Sequence, residues 1–118
     1  NFKLVDNSSI KMYLANGGIY GIMNDTSDVA LKENIKNISD GTTVIKALRP
    51  KTFDWKTDEE HAGVGTGHAG FIAQEVETVF AKAVSGEEGT KAVKAMAILA
   101  HAVKAIQELE ARIATLEE

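Results

Sequence analysis

The chain is 118 residues long, carries a formal net charge of −4 and contains no cysteine. This length suits one modest domain, which association with further copies would stabilise. The acidic balance argues against nucleic acid or an anionic membrane as partner, because both attract a basic face. Disulfides and thiolate metal sites are excluded. No apolar run approaches the roughly 18 residues of a membrane span. Because the chain begins at Asn1 instead of Met, we expect a fragment of a longer polypeptide.

The first 26 residues are rich in β-forming residues, asparagine and glycine, and they predict three short strands at 2–6, 10–14 and 19–23. Asn16 and the two glycines after it predict a turn, because Asn and Gly tolerate positive φ. Two interpretations stay open for this segment: an ordinary β-meander, or the end of a β stalk that other copies of the chain complete.

Residues 27–89 predict a mixed α/β region. Ser27 and Asp28 are residue types that cap helices. Apolar residues at helical spacing after them predict a helix over 29–38. Further along, the pattern predicts a helix at 43–48 ended by Pro50, a strand at 51–56 and a loop at 58–70. Residues 71–73 are either a buried strand or the first turn of a helix that continues to about residue 80, and 86–89 is a connector.

Residues 90–118 predict a long helix, because apolar residues recur in an unbroken heptad pattern. These residues are Ala92, Ala95, Leu99, Ala102, Ile106, Leu109, Ile113 and Leu116. We expect the helix to pack on its own domain at first and then to project as a parallel coiled coil. The six positions from Leu99 to Leu116 would form the seam between copies. The alternative is an amphipathic helix folded back on a monomer.

Arg112 at heptad position g and Glu117 at the following e would attract each other between parallel copies. Isoleucine at a with leucine at d favours two strands on general grounds. The fold class predicted for the whole chain is therefore α+β: a short β segment, a mixed globular part and a long C-terminal helix that associates.

Ser27 and Lys32 form the first candidate site. A neutral lysine can take the proton of a serine if burial lowers the lysine pKa from about 10.4 toward 7–8. The two residues would be about 140° apart on one helix, so they meet only if Ser27 lies at or before the helix cap. A capping serine beside a solvated lysine is the alternative that spacing alone favours.

Other polar residues give weaker signals. The string from Gly65 to Gly70 matches G-x-G-x-x-G, but it lacks the βαβ context of a dinucleotide site, so a tight loop is favoured. His61 and His68, with nearby carboxylates, show no metal-ligand spacing, and we predict no metal site and no cofactor. His101 is expected at the helix surface. Gln74 either orients a buried group or is a polar residue at a helix N-terminus.

Four motifs together resemble the intramolecular chaperone auto-processing domain, the peptidase S74 family. They occur in the family's order: Ser27-Asp28-x-x-Leu31-Lys32-x-Asn34-Ile35; Leu48-Arg49-Pro50 with Phe53-Asp54-Trp55; Gly67-His68-Ala69-Gly70-Phe71-Ile72-Ala73-Gln74-Glu75; and Ala105-Ile106-Gln107-Glu108-Leu109. The resemblance covers 27–118.

Such domains end bacteriophage tail spikes, tail fibres and neck appendages, endosialidases among them. The resemblance implies a homotrimer, with a dimer less favoured, that helps an upstream β stalk of the same polypeptide to fold. Its setting would be the host cytoplasm during phage assembly, and the parent protein would belong to the virion tail. Residues 1–26 would be the end of the stalk, and 27–118 the chaperone.

By position in the motifs, Ser27 would be the nucleophile, Lys32 its base and Thr26–Ser27 the bond that is cut. Asp28, Asn34, His68 and Gln74 are supporting candidates. The family usually has arginine where this chain has Ala30, which predicts a cleavage-impaired or pre-cleavage form unless the change is neutral. The alternative function is a non-catalytic trimerisation module that caps a fibre.

Overall fold

The structure is a computed structural model. It describes residues 26–56 and 65–118 in full and, before them, the backbone of three strands. The chain divides into two units, one of Asn1–Ile35 with Phe53–His68 and the other of Lys36–Thr52 with Ala69–Glu118.

The N-terminal strands form a three-stranded antiparallel sheet in the order β1 (Lys3–Asp6), β2 (Ser9–Ala15), β3 (Gly18–Gly21). The register shifts between Leu4 and Val5, which marks an irregularity in β1. The three predicted strands are thus confirmed, with ends that differ by one or two residues. Completion of the sheet by other copies stays a prediction.

The predicted helix over 29–38 is wrong. Only a single 3-10 turn forms, at Val29–Leu31, and its N-cap Asp28 accepts a hydrogen bond from the Ala30 backbone N–H at 2.8 Å. The chain is extended at Lys32, and Asn34 has a φ of 55°. A residue in this left-handed conformation does not continue a right-handed helix, so the apolar spacing here does not lead to one.

A two-stranded sheet is formed by β4 (Lys51–Phe53) and β5 (His68–Gly70). The strand predicted at 51–56 is therefore shorter than expected, and the predicted loop at 58–70 ends in a strand. Part of that loop, residues 57–64, lies outside the described residues.

Two short helices confirm the pattern of the middle region. The first, α1 (Thr42–Ala47), ends where Leu48 becomes extended, two residues before Pro50. The second, α2 (Ala73–Val79), has the extended Ile72 as its N-cap. Their bounds differ from the predicted ones by one or two residues.

The long helix α3 spans Ala95–Glu117 and not the whole of 90–118. Before it, β6 (Val84–Ser85) pairs with β7 (Ala92–Val93) in an antiparallel hairpin. Ala92, the first predicted heptad position, therefore lies in a strand. The predicted connector at 86–89 is the turn that allows this pairing.

The core of the second unit gathers residues from all three helices and the chain between them. Val76 and Ala83 are 1% and 0% exposed, and Leu48 and Ile98 pack with them. Partly buried apolar residues surround this cluster: Val44, Ile45, Phe71, Phe80, Val84, Val93 and Ala97. Burial of one such large side chain contributes about 1.5–3 kcal/mol, so this cluster holds the short elements on α3.

Close packing joins α1 to α3 at Gly41. A Cβ on this residue would lie 2.5 Å from the Ala105 nitrogen and from the His101 oxygen, which are backbone atoms of α3. Gly41 itself has the ordinary helical dihedrals φ −100° and ψ −33°. The glycine is therefore required for space.

A neighbouring face of α3 is apolar and exposed. Its large side chains are Met96, Leu99, Val103, Ile106, Leu109, Ile113 and Leu116, and Ala102 among them is half-buried. They include five of the six predicted seam residues. None of the helices in the described residues is long and apolar enough to cross a membrane.

Candidate active site

The structure brings Ser27 and Lys32 together. The Lys32 Nζ donates a hydrogen bond to the Ser27 Oγ at 2.6 Å. Ser27 precedes the cap Asp28, and Lys32 closes the 3-10 turn through a backbone hydrogen bond to Val29 at 3.1 Å. The single turn thus places two side chains five residues apart against each other, as the sequence required of a serine outside the helix.

The pair is exposed in the single chain. Three apolar side chains of the same segment are exposed with it: Val29 by 70%, Leu31 by 72% and Ile35 by 63%. A lysine ammonium donates hydrogen bonds and accepts none, so removal of the serine proton requires the neutral amine, which burial favours. In the single chain the Ser27 hydroxyl and the Lys32 amine are thus in hydrogen-bonding contact at an exposed position.

Asp28 and Asn34 shape the backbone around the pair. The Asp28 carboxylate caps the turn by accepting from the Ala30 N–H. Asn34 adopts the positive φ that asparagine tolerates better than most residues. Ala30 is exposed, so a longer side chain has room at this position.

The glycine-rich loop is held as a tight turn. Gly65 and Gly67 have φ values of 80° and 74°, and the Gly67 N–H donates to the Asp54 Oδ1 at 2.7 Å. The His68 ring stacks on Phe53 with centroids 5.9 Å apart, and its Nε2 lies 3.3 Å from the Gly65 carbonyl oxygen.

The positive φ values and the hydrogen bond to Asp54 explain the glycines of this string as the requirement of a tight loop. Among the described residues, β5 pairs with β4 alone, so no parallel βαβ unit follows the motif. The described contacts of His68 are with Phe53 of β4 and with Gly65 of the loop.

Gln74 is exposed near the start of α2, and its Nε2 donates to the Glu88 Oε1 at 3.0 Å. The structure therefore favours the helix N-terminal interpretation over a buried orienting amide.

The prediction for His101 was wrong in part. Its ring is half-buried, 4.4 Å from the Phe80 ring, and its Nδ1 lies 3.0 Å from the Ala97 carbonyl oxygen.

The described residues hold no group of three or more His, Asp or Glu side chains that could share a metal ion. His61 and the neighbouring carboxylates at 58–60 lie outside the described residues.

One contact of Glu108 is not predicted by any pattern in the sequence. The Glu108 Oε1 accepts hydrogen bonds from the backbone N–H groups of Gly41 at 2.6 Å and Thr42 at 3.1 Å. The partners are 66 and 67 residues apart, and no local pattern indicates such a contact. The one available signal was the place of Glu108 within a motif of the resembled family.

The family described as chaperone of endosialidase, peptidase S74, matches residues 27–85, half of the chain. The chain therefore belongs to this family, which confirms the resemblance drawn from the sequence. The match begins at Ser27 itself. No curated protein matches the chain.

Proposed function

We propose that this chain is an intramolecular chaperone that assembles as a homotrimer, assists the folding of an upstream β stalk and then cuts the Thr26–Ser27 bond. Membership of the chaperone of endosialidase family supports the chaperone role. The 2.6 Å contact between Lys32 Nζ and Ser27 Oγ carries the proposal of cleavage. This contact is already present in the single chain.

The proposed reaction uses only this pair and one water molecule. The Ser27 Oγ attacks the carbonyl carbon of Thr26 while its proton passes to the neutral Lys32 Nζ. The C–N bond breaks, and Lys32 returns the proton to the departing α-amino group of Ser27. Water then hydrolyses the ester, which leaves a Thr26 carboxylate and restores the Ser27 hydroxyl.

The exposed face of α3 supports the proposal of association. Its occupant in the proposal is the same face of another copy, because the a and d positions repeat without interruption through Leu116. Arg112 and Glu117 add charge complementarity between parallel copies. The family resemblance favours three copies, and the Ile and Leu pattern alone favours two, so the number is an outcome to be measured.

Association would also provide the cover that the Ser27–Lys32 pair lacks. Another copy placed over Val29, Leu31 and Ile35 would remove water from Lys32 and favour its neutral form. Cleavage would then follow assembly, because the base would be generated only in the assembled state.

Cleavage that follows assembly would help an upstream β stalk to fold. Strand pairings between distant residues form slowly and expose the chain to misassociation. A helical seam that joins the chain ends first raises their local concentration. Loss of the chaperone afterwards leaves the folded stalk kinetically trapped. In this proposal, assembly takes place in the host cytoplasm and the stalk remains in a virion tail.

Ala30 makes cleavage efficiency the point to measure. A guanidinium at this position could pair with a carboxylate or stabilise the oxyanion that forms at Thr26. We therefore propose that the chain is slow to cleave, and that Ala30→Arg accelerates the release of a fragment beginning at Ser27. Rapid, complete cleavage of the wild-type chain would refute the impaired form.

The test combines native mass with intact mass after prolonged incubation. Wild type, Ala30→Arg, Ser27→Ala and Lys32→Ala are compared with Ser39→Ala, an exposed serine outside the pair, as control. We expect the same oligomer for all five proteins, a trimer if the family resemblance holds, and fragments only where Ser27 and Lys32 are both present. A trimer that stays whole even with arginine at residue 30 would leave the non-catalytic trimerisation module as the function.

A further inference from the structure

Glu108 fastens the start of α1 to the long helix. Its Oε1 accepts from the N–H groups of Gly41 and Thr42, at 2.6 and 3.1 Å, which belong to the N-terminal donors that a helix cannot satisfy internally. Thr42 is 7% exposed and Ala105, one turn before Glu108 on α3, is 3% exposed. The carboxylate therefore reaches across a closely packed contact.

This contact has a particular place along both segments that it joins. Gly41 follows Lys32 by nine residues along the chain. On α3, every residue after Glu108 is exposed. Glu108 is thus at the last point where the helix is attached to its own domain.

Among the described residues, nothing buries the helix beyond this point. In proteins most helical stability comes from tertiary packing of an apolar face, so a second copy packed on the exposed end of α3 would stabilise it. The predicted seam residues Ile106 and Leu109 lie two residues before and one residue after Glu108. Association at these two positions would therefore keep α3 helical through residue 108 and hold the carboxylate in place.

Resting on the proposed function, we infer that Glu108 is a positioning residue for self-cleavage. It anchors the chain downstream of Lys32 to the seam-bearing helix, and association of the seam secures this anchor. Glu108 makes no contact with the reacting bond in this mechanism. It transmits the assembled state of α3 to the segment that reacts.

The test uses the full chain with Ala30→Arg as parent and measures the rate of release of the Ser27 fragment, the native mass, and hydrogen exchange at the Gly41 and Thr42 amides. Glu108→Ala removes the acceptor, Glu108→Asp keeps the charge but shortens the reach, and Glu108→Gln keeps a neutral acceptor of the same length. Glu110→Gln, an exposed carboxylate on the same helix, is the control.

We expect Glu108→Ala and Glu108→Asp to remain trimeric, to exchange both amides faster and to cleave about tenfold more slowly, because small misplacements near a reacting group are costly. Glu108→Gln should recover cleavage to within about threefold of the parent, since a neutral hydrogen bond is weaker than a charged one. Glu110→Gln should match the parent.

Trimeric Glu108→Ala or Glu108→Asp that cleaves at the parent rate would overturn the inference. Loss of assembly in both variants would overturn it too, because Glu108 would then serve folding. If the parent and the wild type release no fragment at all, the proposed function fails as well. If the parent cleaves and the Glu108 variants cleave at the same rate, only the role of Glu108 is refuted and the proposed function stands.

Discussion

The first half of α3 packs on its own domain, whereas every residue after Glu108 is exposed. In the first half, Ile98 and Ala105 are 8% and 3% exposed, and both occupy heptad position g. The next g position is Arg112, which is exposed. The change from apolar to charged at g marks where the domain ends, while the a and d positions continue unchanged. The helix thus uses one face to fold and leaves another apolar face exposed.

The largest expected effect comes from charges placed in the exposed half. Leu109→Asp combined with Ile113→Asp removes two apolar seam residues, each worth about 1.5–3 kcal/mol when buried. We expect complete loss of the oligomer in native mass measurements and of fragment release with it.

The control for this pair is Ala111→Asp, an exposed position of the same half outside the seam. It adds charge without removing a seam contact and should stay oligomeric. An oligomer that survives both seam charges would show that copies associate through another surface.

The folding face is tested in its core. Val76→Ala removes a side chain that is 1% exposed and should lower the free energy of unfolding by about 2 kcal/mol. Val79→Ala on the same helix, at 37% exposure, should cost less than half of that. Urea unfolding at a fixed protein concentration measures both, because association shifts apparent stability. Equal losses would contradict the assignment of Val76 to the core.

A smaller effect concerns the pH dependence at the start of α1. Hydrogen bonds from the Thr43 hydroxyl and backbone N–H lower the pKa of the Asp40 carboxyl below its usual 3.8. When folding lowers the pKa of a carboxyl group, the charged group stabilises the folded state at pH values above its unfolded-state pKa. This stability is lost as the pH falls through the folded-state pKa.

The measurement is urea unfolding of wild type and Asp40→Asn at pH 5 and at decreasing pH below 3.8. The wild type should lose stability relative to Asp40→Asn over that window, because only the wild type has a carboxyl to protonate. A difference that stays constant across the window would contradict the role of the charge.

Periodic patterns predicted the three strands, α1, α2 and α3, because repeated apolar spacing reports which face is buried. The helix at 29–38 failed although its spacing was correct, since the left-handed Asn34 ends any helical path there. The sequence predicted the Ser27–Lys32 contact only conditionally, because the two side chains meet only if Ser27 lies at or before the helix cap. The Glu108 contact was not foreseeable, because it depends on how two distant helices pack and not on local sequence.

Gly41 has a consequence for substitutions in related chains. A position can require glycine either because its φ is positive or because there is no space for a Cβ atom. These two kinds of position tolerate different replacements. Gly67, with a φ of 74° and nothing within 4 Å of a Cβ position, could be exchanged for asparagine. Gly41 could not, since even one methyl group would wedge two helices apart. A chain that carries alanine there should therefore have rebuilt the neighbouring backbone of its long helix.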